Sequence, residues 1–234
     1  MRPFYYGLGA IALVGAAVLG YVSTKPKDAP VILDSTAALP PAEGYVLGDT
    51  TAPIQVIEFA DMQCPVCADF GLLTEPDVKK RLIDTKRISY RYMDFPLEMH
   101  PNAWNASNAG ACANEQGKFW EMKERIFQGQ LEWSNELNPR RNFEGYAKEL
   151  GLDVDKWRSC YDSRKMIPKI QATQKEGVRR FVGATPTFVI GRKLYPGALP
   201  YDRFKALVDS AIAELPKTAA APAASTTKAD TARR

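Results

Sequence analysis

Glu58-Phe59-Ala60-Asp61-Met62-Gln63-Cys64-Pro65-Val66-Cys67 is the stretch on which the fold turns. The run that leads into it, Ile54 to Ala60, is short, β-branched and aromatic-containing, and Pro53 bounds it, so a buried strand is expected there rather than a helix. Cys64 falls just past that strand. Pro65 suits the first turn of a helix, where its missing N–H costs nothing, and the chain through Asp84 can continue helically with a kink at Pro76. Cys64 is thereby placed at a helix N-terminus. Unpaired N–H groups and the positive end of the helix dipole favour an anion there, so its thiol should ionise more readily than a free cysteine at about pKa 8.5. Cys67, one turn further on, is shielded by the helix body. The spacing points to thiol-disulfide chemistry, with Cys64 as nucleophile and Cys67 as resolving thiol.

Two cysteines at this spacing can also be half of a zinc site, which takes about four ligands. Cys112, Cys160 and His100 are the remaining candidates, and they are widely spaced with no second C-x-x-C. Neither a metal nor another cofactor is expected. Two further features favour redox chemistry. Glu58 lies inside the apolar strand, six residues before Cys64, where an acid is costly to bury unless it has a task. Thr185-Pro186-Thr187 precedes the apolar run Phe188 to Ile190. His100 is the sole histidine; a packing or capping role is expected for it. Phe119, Trp120 and Trp133 are expected in the core.

From Tyr45 to about Leu215 the sequence resembles the DsbA-like thiol:disulfide oxidoreductases, a thioredoxin-fold group with a helical insertion. The resemblance rests on Leu47-Gly48-Asp49 with Ala52-Pro53, Glu58-Phe59, Cys64-Pro65-Val66-Cys67, Asp94-Phe95-Pro96-Leu97 and His100-Pro101. It continues through Cys112-Ala113, Gln116-Gly117-Lys118-Phe119-Trp120, Cys160 and Gly183-Ala184-Thr185-Pro186-Thr187-Phe188. It implies that Pro186 is a cis-proline facing the cysteines and presenting backbone to an extended peptide, and that Thr185 lies nearest Cys64. It implies too that Glu58 is the buried acid that shuttles protons to and from Cys67. Four cysteines allow three pairings; by the resemblance Cys112 and Cys160 join, closing a loop of about 48 residues and stabilising by about 2 to 4 kcal/mol.

Residues 3–24 carry no charge and are long enough to cross a bilayer at about 1.5 Å per residue. Residues 1–24 are expected to be an uncleaved signal anchor that enters the membrane through residues 4–22. Arg2 favours a cytoplasmic N-terminus, although Lys25 and Lys27 oppose it. A redox-active pair belongs outside the cytosol, so chemistry and topology agree on a catalytic domain in the periplasm or at the cell exterior. Residues 25–44, rich in Pro, Ala and small polar groups, should form a flexible linker. Residues 216–234 should be a disordered tail.

The remainder, 45–215, is one domain of ordinary size. A net charge of +4 without a basic block gives no reason to expect nucleic acid. Arg87 to Phe95 alternates as a strand with Ile88, Tyr90, Tyr92 and Asp94 on one parity. From about 101 to 181 the pattern suggests several short helices. Thr187 to Ile190 and Lys193 to Tyr195 flank Gly191-Arg192 as a hairpin, and Tyr201 to Leu215 is a closing helix. The expected fold is α/β, thioredoxin-like, with an inserted helical subdomain.

One departure bears on function. Strongly oxidising relatives carry histidine before the second cysteine; here it is Val66, which offers the thiolate neither charge nor a hydrogen bond. A less stabilised thiolate makes a less oxidising disulfide. The first expectation remains disulfide donation to reduced or misoxidised exported polypeptides, with a quinone-linked membrane oxidase restoring the pair. The alternatives are a reductase or isomerase fed by a membrane electron donor, and a redox-inert peptide-binding chaperone. Related isomerases dimerise through an N-terminal module, for which the linker is too short and Pro-rich.

Overall fold

The computed structural model describes residues 40–216. The segments expected as membrane anchor and as tail lie outside them, as does most of the linker. Among the described residues, no helix is long and apolar enough to cross a membrane.

Five strands, β1 (Tyr45–Leu47), β2 (Ile54–Ala60), β3 (Ile88–Asp94), β4 (Thr187–Ile190) and β5 (Lys193–Pro196), form one sheet in the order β1-β3-β2-β4-β5. β2 and β3 run parallel, and the other pairings are antiparallel. A parallel pair needs a crossover. It is supplied by α1, a helical run over 65–83 whose α-helical parts, Pro65–Asp69 and Glu75–Val78, are each followed by a π-turn, Phe70–Thr74 and Lys79–Ile83. The bend expected at Pro76 is taken up by the first π-turn. Pro76 has no N–H to return to the preceding turn, and the Glu75 N–H bonds the Phe70 carbonyl, five residues back.

Between β3 and β4 stand α2 (Ala103–Asn114), α3 (Phe119–Gln128), α4 (Gln130–Trp133), α5 (Arg140–Glu149), α6 (Val154–Ser163) and α7 (Ile167–Arg179). This is the inserted helical block, and α8 (Tyr201–Ala213) closes the fold. Alternation along the strands divides the core. Val56, Tyr90, Phe188 and Ile190 pack with Phe70 of α1 and Phe204 of α8. Ala60, Tyr45 and Tyr92, on the same face, pack against the insertion and Cys67. Phe59, Met93 and Val189 point the other way, towards Phe95 and Val182. Close approach is needed on both sides: a Cβ on Gly177 of α7 would lie 2.5 Å from the Phe95 ring, and one on Gly71 of α1 would lie 2.9 Å from Phe127 of α3.

The start of the domain holds more structure than the sequence reading expected. β1 was not anticipated as a strand, yet Tyr45 pairs with Tyr92 and Leu47 with Tyr90. The chain is also already engaged before Tyr45: Ala42 packs against the Phe59 cluster, and the Arg91 guanidinium donates to the Glu43 carbonyl. Arg91 lies on the half-buried face of β3, where its Nε also donates to Gln55 Oε1 at 2.8 Å.

Candidate active site

The end of β2 delivers the chain to Cys64, which caps α1 in extended conformation (φ −70°, ψ 121°) with Pro65 as the first helical residue. The Cys67 and Ala68 N–H groups both donate to the Cys64 carbonyl at 3.1 Å. The peptide bond between Thr185 and Pro186 is cis. It brings the Thr185 carbonyl to 3.5 Å from Cys64 Sγ, joining two sites 121 residues apart in sequence. Among the described residues, Thr185 Oγ1 is buried without another partner. A thiol donates to the carbonyl; a thiolate needs a donor, and this hydroxyl is one.

Both active-site cysteines are present as thiols. Cys64 is pushed down to about 6, chiefly because the Cys67 thiol donates to it, and then by the Thr185 side chain and the Cys67 and Val66 N–H groups, against the opposing effect of burial. Cys67 is wholly buried and moves the other way, by desolvation first and then by its donation to Cys64. The pair is therefore asymmetric. One sulfur is ready to carry charge and the other must be given a proton whenever it is released.

Glu58 is a buried acid whose charge bears on Cys67. It is 2% exposed, in the strand beneath α1, and Tyr90 Oη donates to its Oε2 at 2.8 Å. Burial raises its carboxyl to about 7; the nearby Lys123 charge opposes this and the Glu75 charge adds to it. Lys123 and Glu75 make a buried ion pair, and the Lys123 ammonium lies over the rings of Trp120, Tyr92 and Phe127 at 5.0, 5.3 and 5.7 Å.

The sign of the pH effect follows. Glu58 holds its proton longer folded than unfolded, where a glutamate releases it near pH 4.3, so stability falls as pH rises from about 4 to about 7 and levels off above. In Glu58→Gln this part of the decline should be missing from urea midpoints taken across that range. An unchanged slope would mean that Glu58 does not retain its proton on folding.

A family model described as Thioredoxin matches residues 42–210. The chain belongs to this thioredoxin family. Among solved structures it is similar to Wolbachia pipientis alpha-DsbA1, with a TM-score of 0.66 and 23% identity, covering 75% of this chain and 94% of that one. It is also similar to oxidised BdbD from Bacillus subtilis, with a TM-score of 0.65 and 22% identity over 72% and 92% of the two chains. These likenesses establish a DsbA-like thioredoxin fold. A curated relative, the Na(+)/H(+) antiporter NhaA 1 of Salinispora arenicola, is 32% identical over 183 residues, 78% of this chain and 27% of that protein. The chain thus spans about a quarter of the length of the curated relatives it matches.

In this thioredoxin-family domain the cysteine loop is tied to the insertion by side chains that sequence reasoning passed over. Gln63, immediately before Cys64, donates to the Ser134 carbonyl at 2.9 Å and accepts from the Asn102 N–H. Asn102 reaches the carbonyls of Ser134 and Glu136. Gln130 donates to the carbonyls of Met62 and Cys64 at 3.0 and 3.2 Å. Asp61 accepts from the Gln63 and Leu97 N–H groups and meets His100 Nδ1 at 2.7 Å, which gives the lone histidine a structural partner. Glutamine and asparagine are ordinarily surface residues, and only the isolated polar position of Gln63 between Met62 and Cys64 hinted otherwise. Cys112 of α2 and Cys160 of α6 are disulfide-bonded.

Proposed function

We propose that the chain is an extracytoplasmic thiol:disulfide oxidoreductase that donates the Cys64–Cys67 disulfide to exported polypeptides. In this reading residues 1–24 hold it at the membrane, where a quinone-linked oxidase restores the disulfide. The asymmetry of the two thiols, one depressed to about 6 and facing a cis-proline, the other buried and raised, carries the reading.

In the oxidised enzyme a substrate thiolate attacks Cys64 Sγ. A Cys64–substrate disulfide forms, the Cys64–Cys67 bond breaks, and Cys67 leaves with the electron pair and takes a proton from Glu58. A second substrate thiolate then attacks the substrate sulfur of the mixed disulfide and expels Cys64, which leaves well because its thiolate is stabilised. The substrate gains a disulfide and the pair holds two electrons. Thr185 and Pro186 present their backbone beside Cys64 for an extended chain, and Val66, 44% exposed, adds an apolar contact. That the curated relatives are named as Na(+)/H(+) antiporters supports a working place at a membrane.

The test is equilibration of the protein with graded glutathione buffers, trapping Cys64 and Cys67 by alkylation. A disulfide donor should show a midpoint above about −220 mV. A midpoint at or below about −270 mV would make the protein a reductant and turn attention to a membrane electron donor.

A further inference from the structure

Asp94 ends β3 one step beyond Tyr92, opposite Ala60 of β2, and so shares the sheet face that carries Glu58, Tyr92 and Tyr45. It is 1% exposed. Around it, Tyr45 Oη, Tyr92 Oη, Ser107 Oγ and its own Oδ1 are all buried without a hydrogen-bond partner among the described residues. The Tyr45 and Ser107 hydroxyls face the Asp94 carboxyl closely enough to favour its charged form, without well-formed hydrogen-bond geometry. Buried polar atoms are seldom left unpaired, and a site offering three or four of them suits an enclosed water.

This polar pocket lies behind the resolving thiol. Tyr92 and Tyr45 belong to the core cluster that contains Cys67, and Tyr92 senses the charges of Asp94, Glu58, Cys67 and Asp61. The other charged groups facing it are Lys169 of α7, whose ammonium lies 4.6 Å over the Tyr45 ring, and Lys123 of α3 over Tyr92. Lys169 is half-buried, so the pocket approaches solvent on that side.

We propose that Asp94 is a second proton-holding residue of this active site, linked to Cys67 through the Tyr92, Tyr45 and Ser107 hydroxyls and a water they enclose. The inference rests on the thiol-exchange reading above. When a substrate thiolate opens the disulfide, Cys67 leaves with the electron pair. A proton passes along the hydroxyl chain to Cys67 Sγ, and Asp94 becomes a carboxylate; closing the disulfide reverses the transfer. Burial holds the Asp94 carboxyl at about 7, in the same range as Glu58, so either acid can serve. Asp94 acts through Tyr92 and is a positioning residue with respect to the sulfur.

The experiment compares the full chain with Asp94→Asn, Glu58→Gln and the double variant. It uses reduced-minus-oxidised infrared difference spectra and the rate of thiol exchange between about pH 5 and 8. The parent should show two protonated-carboxyl bands, each single variant losing one. Glu58→Gln should slow exchange about tenfold while keeping a pH dependence, and the double variant should slow it about tenfold again and flatten the profile. If Asp94→Asn keeps both bands and the double variant superposes on Glu58→Gln, the proposal fails. Should Asp94→Asn not fold, Ser107→Ala and Tyr45→Phe leave the carboxyl in place, and each must shift its band; an unmoved band overturns the proposal equally. A parent that exchanges no thiols at Cys64 would instead remove the enzymatic reading and this inference with it.

Discussion

Cys67→Ser should accumulate a mixed disulfide when its Cys64 thiolate attacks an external disulfide such as oxidised glutathione and releases one thiol, visible as a mass adduct that dithiothreitol removes. In the parent the resolving sulfur is held one turn away on a helix whose N-terminus is fixed by Pro65 and by the N–H bonds to the Cys64 carbonyl. Such an intramolecular nucleophile has a high effective molarity, so its loss should slow release of the adduct by roughly a thousandfold or more at micromolar external thiol. Cys64→Ser should show no adduct, because the remaining thiol is wholly buried and disfavours the thiolate. An adduct on Cys67 in that variant, or turnover of Cys67→Ser at the parental rate, would reverse the assignment of roles.

Glu75→Gln should destabilise the domain by about 3–5 kcal/mol, since removing one member of a buried ion pair leaves the other charge uncompensated. Lys123 is 2% exposed and Glu75 9%, and three aromatic rings surround the ammonium. Guanidinium unfolding reads the effect. Adding Lys123→Met should recover most of the loss, because a pair replaced by apolar side chains of similar volume is often neutral or better. A loss below about 1 kcal/mol in Glu75→Gln would mean that the pair is solvated like a surface bridge.

Parts of this arrangement were legible in the sequence for local reasons. An apolar run bounded by Pro53, a cysteine past its end and Pro65 in a first helical turn dictate strand, thiol and helix in succession. Glu58 stood out because it interrupts that run. β1 did not: its three residues lie between Gly44 and Gly48, too short for a periodic signal, and its partner is β3, more than forty residues away. The parity of Ile88, Tyr90, Tyr92 and Asp94 was visible, but the crowding of hydroxyls around Asp94 depends on Ser107 from α2 and Tyr45 from β1. Lys123 sits among the charges of α3, and no helical pattern distinguishes it from its exposed neighbours. Gln63 and Gln130 acquire their roles from carbonyls brought close only by tertiary packing. The cis bond at Pro186 followed from family resemblance, since most X-Pro bonds are trans.

The Cys112–Cys160 bond, joining α2 to α6 across 48 residues, is a second cysteine pair, separate from Cys64 and Cys67. It lies at the floor of a surface cleft of the insertion lined also by Glu115, Gln116, Lys156 and Ser159, and its opening would release α2 from α6 in the block that clamps the cysteine loop. A reductant that opens this bond therefore acts on the stability of the fold itself, beyond any effect on the Cys64 and Cys67 pair.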